Sequence, residues 1–146
     1  MGYESFHPTK GRMLLFTFFF FSLIWQSVVG EMAGASMENE PDVILNKQDS
    51  AKEISAKPGQ VIQVQLEGMG GTGYWWYVQN LDARHVELLS EKTKAASEGR
   101  VGGPVLGLWT FRVKEPGTTE IKMDYFRSWE GVASALEHFR VKITVE

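Results

Sequence analysis

Residues that could catalyse a reaction or bind a metal are few in this chain and widely separated. The three histidines, His7, His85 and His138, show neither HxH nor HExxH spacing, so no metal site is predicted. The acidic residues are scattered at expected turns and exposed strand positions. No two of them share an apolar setting, as acid–base catalysis requires. With no cysteine in 146 residues, thiolate zinc sites, cysteine nucleophiles and disulfide scaffolds are excluded.

Two further classes of function find little support in the sequence. The segment Gly-Gly-Thr-Gly at 70–73 could suggest a phosphate-binding loop, but it lacks the lysine, and a strand pattern follows it where such a loop requires a helix. The net charge is −3 and no concentrated basic face is visible, which argues against nucleic-acid binding. We therefore expect neither an enzyme nor a protein with a small-molecule cofactor.

Three segments combine glycine with exposed apolar or aromatic residues, a composition typical of recognition loops. They are 68–73, 99–107 and 127–131. The second contains the apolar pair Val105-Leu106, and the third contains Trp129. Two plainer interpretations stay open: Trp129 could fold back onto the rim of the core, and the first segment could be a hairpin turn without a partner.

The elements that position these segments are strands, because apolar residues recur with a period of two. The alternating runs are 62–67, 109–114, 121–126 and 139–145. A fifth strand is predicted at 74–78, where Trp76 shares a side with Tyr74 and Val78 and is expected in the core. A weaker strand is predicted at 85–89, and short edge strands at 43–45 and 53–55.

The turns between these strands support the same architecture. Pro58-Gly59 and Pro116-Gly117 supply a fixed φ followed by a positive φ, as tight turns require. No window predicts a long amphipathic helix. Seven or eight short strands in one domain predict an all-β fold, an antiparallel β-sandwich in which each sheet buries its apolar face on the other.

A targeting segment precedes this domain. Residues 13–25 are apolar except for two hydroxyl side chains, and Lys10 and Arg12 stand directly before them. This is the pattern of a secretory signal peptide, with candidate cleavage after Gly30 or Ala35. We expect a signal peptide at 1–35, a leader and edge strand at 36–52 and the folded domain at 53–146, exported to the periplasm or the extracellular space. A retained anchor is the alternative, and it would be the chain's only contact with a membrane.

The three segments, in this order, resemble the motifs of the chagasin-like inhibitors of papain-family cysteine peptidases. Members carry an Asn-Pro-Thr-Thr-Gly loop before an aromatic-x-Trp strand, a glycine-rich middle loop before a strand with a central Phe, and a Tyr-x-Arg-Pro-Trp motif. The corresponding segments here are 69–73 before 74–76, 102–107 before 109–111, and 125–129. The resemblance extends from about Ile54 to Val145 and implies an immunoglobulin-like sandwich.

The chain departs from the family pattern at four positions. Met69, Gly70 and Gly71 stand where the family has Asn, Pro and the first Thr, whereas Thr72 and Gly73 are retained. Ser128 replaces the proline of the last motif. Because each lost proline frees backbone, at roughly 0.4–1 kcal/mol per site, we expect more flexible loops that lose more entropy on binding.

The resemblance implies that the three loops form a wedge that enters the peptidase cleft reversibly and without a covalent bond. It implies that the glycines let backbone approach the catalytic residues, that Met69 fills an apolar subsite, that Thr72 forms hydrogen bonds there, and that Trp129 anchors the primed side. Arg127 would brace its loop or pair with an acidic rim. The candidate peptidase-binding residues are Met69, Gly70, Gly71, Thr72, Gly73, Gly103, Pro104, Val105, Leu106, Gly107, Arg127, Ser128 and Trp129.

Two other functions remain open from the sequence. One is an exported carbohydrate- or surface-binding module, with Trp75, Trp109 or Trp129 stacking on sugar rings. The other is a structural domain that has lost inhibition through the departures above. For the inhibitor we expect a monomer whose partner is a papain-like cysteine peptidase.

Overall fold

The structure is a computed structural model that describes residues 40–96 and 103–146. Eight strands account for most of these residues, and three short 3₁₀ turns, Lys47–Asp49, Gly70–Thr72 and Val132–Ser134, connect some of them. The strands are β1 Val43–Asn46, β2 Glu53–Ala56, β3 Val61–Gly68, β4 Tyr74–Gln79, β5 Val86–Ala95, β6 Val105–Val113, β7 Gly117–Arg127 and β8 Glu137–Val145. In the described part of the chain, no helix is long and apolar enough to cross a membrane. The predicted signal peptide lies outside the described residues.

The strands form two four-stranded sheets packed face to face, which confirms the predicted β-sandwich. One sheet has the order β1-β3-β6-β5 and the other β2-β8-β7-β4. The alternating residues of β3, β6, β7 and β8 point inward as the period of two predicts; among them Ile62, Phe111, Ile121 and Phe139 are fully buried. Trp76 is 2% exposed and belongs to this core, as predicted.

Pairing within the sheets is antiparallel except at the two edge strands, whose direction the sequence did not predict. The edge strand β1 runs parallel to β3, and the edge strand β2 runs parallel to β8. Both edge strands are only four residues long, and each lies beside a long strand whose other edge is antiparallel. A period of two identifies the buried face of a strand but carries no information about the direction of its neighbour.

β5 and β6 both extend beyond their predicted bounds. β5 continues to Ala95, whereas the sequence predicted an end at Leu89; His85 lies in the turn before it. The added residues are mostly exposed and polar, and backbone pairing with β6 holds them in the sheet. β6 begins at Val105, so Val105, Leu106 and Gly107 belong to a strand and their assignment to a loop is wrong. Gly107 is buried because the ring of Trp109 covers it.

The turns between the sheets have the predicted backbone conformations. Gly59 has φ of +92° and Gly117 has φ of +141°, values that L side chains rarely adopt. The segment Gly68–Gly73 joins β3 of one sheet to β4 of the other. It is therefore a crossing between sheets, and the hairpin interpretation is wrong.

Candidate functional site

The first loop, residues 69–73, is a compact turn fixed by hydrogen bonds at both ends. The Met69 amide donates to the Tyr125 hydroxyl at 3.0 Å, and the Thr72 hydroxyl donates to the Met69 carbonyl at 2.6 Å. Inside the turn the amides of Thr72 and Gly73 donate to the carbonyls of Met69 and Gly70. These bonds hold the turn at positions where the family pattern has proline.

The third segment lies directly against the first. The Trp129 ring covers Gly73 so closely that a Cβ placed there would lie 2.1 Å from a ring carbon. Gly73 also has φ of +81°, in the left-handed region that favours glycine. Trp129 nevertheless remains 68% exposed and lies outside the buried core, so the interpretation that it folds back onto the core rim is wrong. Only glycine at 73 permits this contact between the two loops.

Arg127, the last residue of β7, connects the two loops. Its Nε donates to the Thr72 carbonyl at 3.1 Å, and its Nη1 lies 3.1 Å from a Glu130 carboxylate oxygen. Its guanidinium stands 4.4 Å from the centre of the Tyr74 ring and 5.8 Å from the centre of the Trp129 ring. Arginine suits this position because a planar cation can stack on aromatic rings and still donate in its own plane. Arg127 therefore braces the loop, and its ion pair is internal.

The second segment is only partly described, because residues 97–102 lie outside the described ranges. Gly103 and Pro104 lead into β6, and the carbonyl of Pro104 accepts from the Ala96 amide at 3.2 Å. In the ladder between β3 and β6, Val105 pairs with Gly68. The start of β6 therefore lies beside the start of the first loop, so the described part of the second segment, from Gly103, reaches the same end of the sandwich as the other two.

Three residues that position these loops were not among the candidate peptidase-binding residues. Tyr125 accepts the hydrogen bond from Met69, Tyr74 stacks beneath Arg127, and Glu130 pairs with Arg127. The alternation placed Tyr125 on the inner face of β7 but gave no sign that its hydroxyl reaches the loop. Glu130, three residues after Arg127 in a turn, was the one local signal available.

The loop end offers a partly apolar surface on which the charges of Arg127 and Glu130 offset each other. Met69 is 46% exposed and Ser128 is exposed, while a Cβ added to Gly70 or Gly71 would meet nothing within 4 Å. Backbone at these two glycines is therefore open to a partner. In the described ranges, no three His, Asp or Glu side chains form a group able to bind a metal ion. Such an arrangement suits recognition of another protein by shape and apolar contact.

The aromatic residues considered for sugar binding do not share an exposed face. Trp109 is fully buried in the core. Trp75 packs against it with the ring centres 5.7 Å apart, and its Nε1 donates to a Glu91 carboxylate oxygen at 3.2 Å. Trp129 is the exposed member of the three, at the loop end. A row of stacking platforms on one sheet is therefore absent from the described residues.

Comparison with solved structures identifies proteins with the same fold. A cysteine protease inhibitor from Entamoeba histolytica aligns over 73% of this chain and 100% of its own, with a TM-score of 0.62 and 22% identity. An inhibitor solved in complex with falcipain-2, PbICP-C, aligns over 77% and 95%, with a TM-score of 0.53 and 17% identity. Leishmania mexicana ICP aligns over 77% and 100%, with a TM-score of 0.50 and 20% identity.

Comparison of sequences gives the family itself. No curated protein sequence matches this chain. The family described as chagasin family peptidase inhibitor I42 matches residues 55–143, most of the chain and nearly the whole sandwich. The chain therefore belongs to the chagasin family of peptidase inhibitors.

Proposed function

We propose that this inhibitor acts on papain-like cysteine peptidases by placing the first loop and Trp129 in the active-site cleft, reversibly and without a covalent bond. The observation that carries the proposal is the contact between two loops distant in sequence. Trp129 lies on Gly73, and the Arg127 side chain donates a hydrogen bond to the Thr72 carbonyl of the first loop. The result is a preformed wedge with exposed apolar side chains at its tip.

Preformation matters because ordering a loop on binding reduces affinity. The Arg127–Thr72 bond and the bond from Met69 to Tyr125 fix the wedge before any partner arrives. The partner therefore need not order it. Gly70 and Gly71, with open space around their α-carbons, allow the loop backbone to approach the catalytic cysteine and histidine closely.

The side chains of the wedge make different contacts. Met69, 46% exposed, is available for an apolar subsite, and Trp129 is available as the anchor in a neighbouring one. The Thr72 hydroxyl closes the loop by donating to the Met69 carbonyl. Its direct contribution to the peptidase is therefore as an acceptor.

Titration of papain and related peptidases with the purified domain tests this proposal. We expect competitive inhibition against a small fluorogenic substrate, full recovery of activity on dilution, and no binding to peptidase whose cleft is already alkylated. Absence of inhibition at high micromolar concentrations of folded domain, across several papain-type enzymes, would contradict it. Binding to the alkylated enzyme with unchanged affinity would contradict the place of the wedge.

The domain's destination is a separate part of the proposal. An apolar segment at 13–25 behind two basic residues supports cleavage of a signal peptide and export to the periplasm or the extracellular space. Mass spectrometry of the mature protein should find an N-terminus that follows Gly30 or Ala35. Full-length chain in the membrane fraction would instead indicate a retained anchor.

A further inference from the structure

Exposed apolar side chains are unevenly distributed over the domain. In residues 40–96 and 103–146 the large ones are Ile44, Met69, Leu88, Trp129, Val132 and Leu136. Four of these six belong to the first loop or to the connection between β7 and β8. Single exposed apolar residues are ordinary, but several in one short connection indicate an interaction surface. Val132 and Leu136 have no part in the wedge described above.

The connection between β7 and β8 holds these two side chains in fixed places. The Gly131 carbonyl accepts hydrogen bonds from the amide and the hydroxyl of Ser134, at 3.1 and 2.7 Å. The Ala135 amide donates to Val132, and the Leu136 amide donates to the Tyr125 carbonyl at 2.9 Å. The backbone thus keeps Leu136 beside β7, the strand whose last residue braces Trp129.

Packing does not explain why these positions are apolar. Val132 is 50% exposed and Leu136 is 62% exposed, and neither belongs to the buried core or to the residues packed on it. A polar side chain would serve equally well in the hydrogen-bonded turn, which uses only backbone groups and the Ser134 hydroxyl. Their apolar character therefore indicates a partner, and their place in the same β7–β8 connection as Trp129 indicates the peptidase as that partner.

We propose that Val132 and Leu136 form a second apolar contact on the same peptidase, on the rim of the cleft beyond the site of Trp129. This inference rests on the proposed function and extends it to target selection. The charges of the connection are already neutralised, since Glu130 pairs with Arg127 and Glu137 pairs with Lys47. The surface therefore suits a peptidase whose rim is apolar at this point and disfavours one whose rim is charged.

The apolar character of the second contact predicts which rate constant should change. Apolar contacts form after the encounter, so their loss should accelerate dissociation and leave the association rate nearly unchanged. Ionic strength should have little influence on the difference, because no charge is removed. A loss caused by altered electrostatic steering would show the opposite pattern.

The test compares the double variant Val132→Ser, Leu136→Gln with a matched control, Ile44→Thr, Leu88→Gln. The control removes two exposed apolar side chains from β1 and β5, which lie outside the connection. Inhibition and dissociation rates are measured against a panel of papain-like peptidases whose rims differ in polarity. For at least one enzyme with an apolar rim, the double variant should raise the inhibition constant on the order of tenfold, and the control should not.

Each other outcome overturns the inference in a recognisable way. If the unchanged protein inhibits and the double variant inhibits equally well across the panel, the second contact is wrong while the proposed function stands. If the unchanged protein inhibits none of the enzymes, both the proposed function and the inference that rests on it are contradicted. If light scattering shows a dimer that the double variant abolishes, the surface binds a second copy instead. The single variants Val132→Ser and Leu136→Gln replace the double variant if it does not fold.

Discussion

Trp76 and Trp129 show two opposite uses of tryptophan in one small domain. Trp76 is 2% exposed, packs at a tilt against Tyr125 with the ring centres 5.1 Å apart, and donates its Nε1 proton to the Glu67 carbonyl at 2.9 Å. Trp129 is 68% exposed and rests on the backbone of Gly73. The first is explained completely by folding. Trp129 is not needed for folding. The two tryptophans therefore distinguish the β-sandwich scaffold from the binding surface that it carries.

The largest expected effect is on stability at Trp76. Trp76→Ala should lower the free energy of unfolding by roughly 3–5 kcal/mol, since it leaves a cavity and an unsatisfied carbonyl. Trp129→Ala should leave the free energy of unfolding within about 0.5 kcal/mol of its original value, as expected for surface positions. Urea denaturation of both variants measures the comparison. Equal losses would show that one of the two tryptophans has been given the wrong role.

Gly73, which the Trp129 ring covers, and Gly70, which has open space around it, allow a matched pair of alanine substitutions in the first loop. Gly73→Ala should destabilise the loop by about 1–2 kcal/mol through its positive φ, and the new methyl group should displace the Trp129 ring. Gly70→Ala meets nothing within 4 Å and should leave the fold unchanged. We expect both variants to inhibit less well, but only Gly73→Ala to shift the fluorescence of Trp129. An unshifted spectrum in Gly73→Ala would contradict the observed contact.

Asp124 tests whether a charge in the sheet affects the free energy of unfolding at acid pH without affecting inhibition. Its burial would raise the pKa of this carboxyl, but hydrogen bonding to His138 at 2.7 Å and Arg140 at 2.5 Å lowers the pKa below the usual 3.8. The charged form therefore contributes stability above that usual value, and the contribution is lost as the pH falls through the lower folded pKa.

The corresponding experiment follows unfolding free energy from pH 6 to pH 2 in the original protein and in Asp124→Asn. The original protein should be the more stable at pH 6, and the difference should shrink towards pH 2. Inhibition at pH 6 should be the same for both, because Asp124 lies in the sheet and not in the loops. A difference in stability that is constant with pH would show that the charge of Asp124 is unimportant.

The smallest expected effect is at Ser128, in the turn after β7. Ser128→Pro should tighten inhibition by about two- to fivefold, because the unbound turn has less conformational entropy to lose. The inhibition constant should fall while the free energy of unfolding rises slightly. Weaker inhibition by this variant would mean that the backbone at Ser128 does not have the φ that proline requires.

Much of this architecture could be predicted from the sequence, because alternation identifies buried faces directly. β3, β4, β6, β7 and β8 were all identified, and family membership confirms both the expectation of a peptidase inhibitor and the expectation that it is not an enzyme. The parallel pairing of β1 with β3 could not be predicted, because strand direction depends on the path of the chain between the sheets.

The glycine-rich segments were the least reliable predictor of loops. At Gly107 it indicated a loop, yet this residue lies in β6 and is glycine because the Trp109 ring covers it. At Gly73 the same residue type does mark a turn. The bonds from Met69 to Tyr125 and from Arg127 to Thr72 join residues 56 and 55 positions apart, so no local pattern predicted them.

The inhibition constant of Trp129→Ala against a papain-like peptidase is the most direct test of the central claim. An anchor in a desolvated pocket contributes about 2 kcal/mol, so we expect competitive inhibition by the original domain and an inhibition constant roughly thirtyfold higher in the variant. The variant should be as stable as the original. Inhibition that is unchanged in a folded Trp129→Ala variant would contradict the wedge, and no inhibition by the original domain would contradict the proposed function.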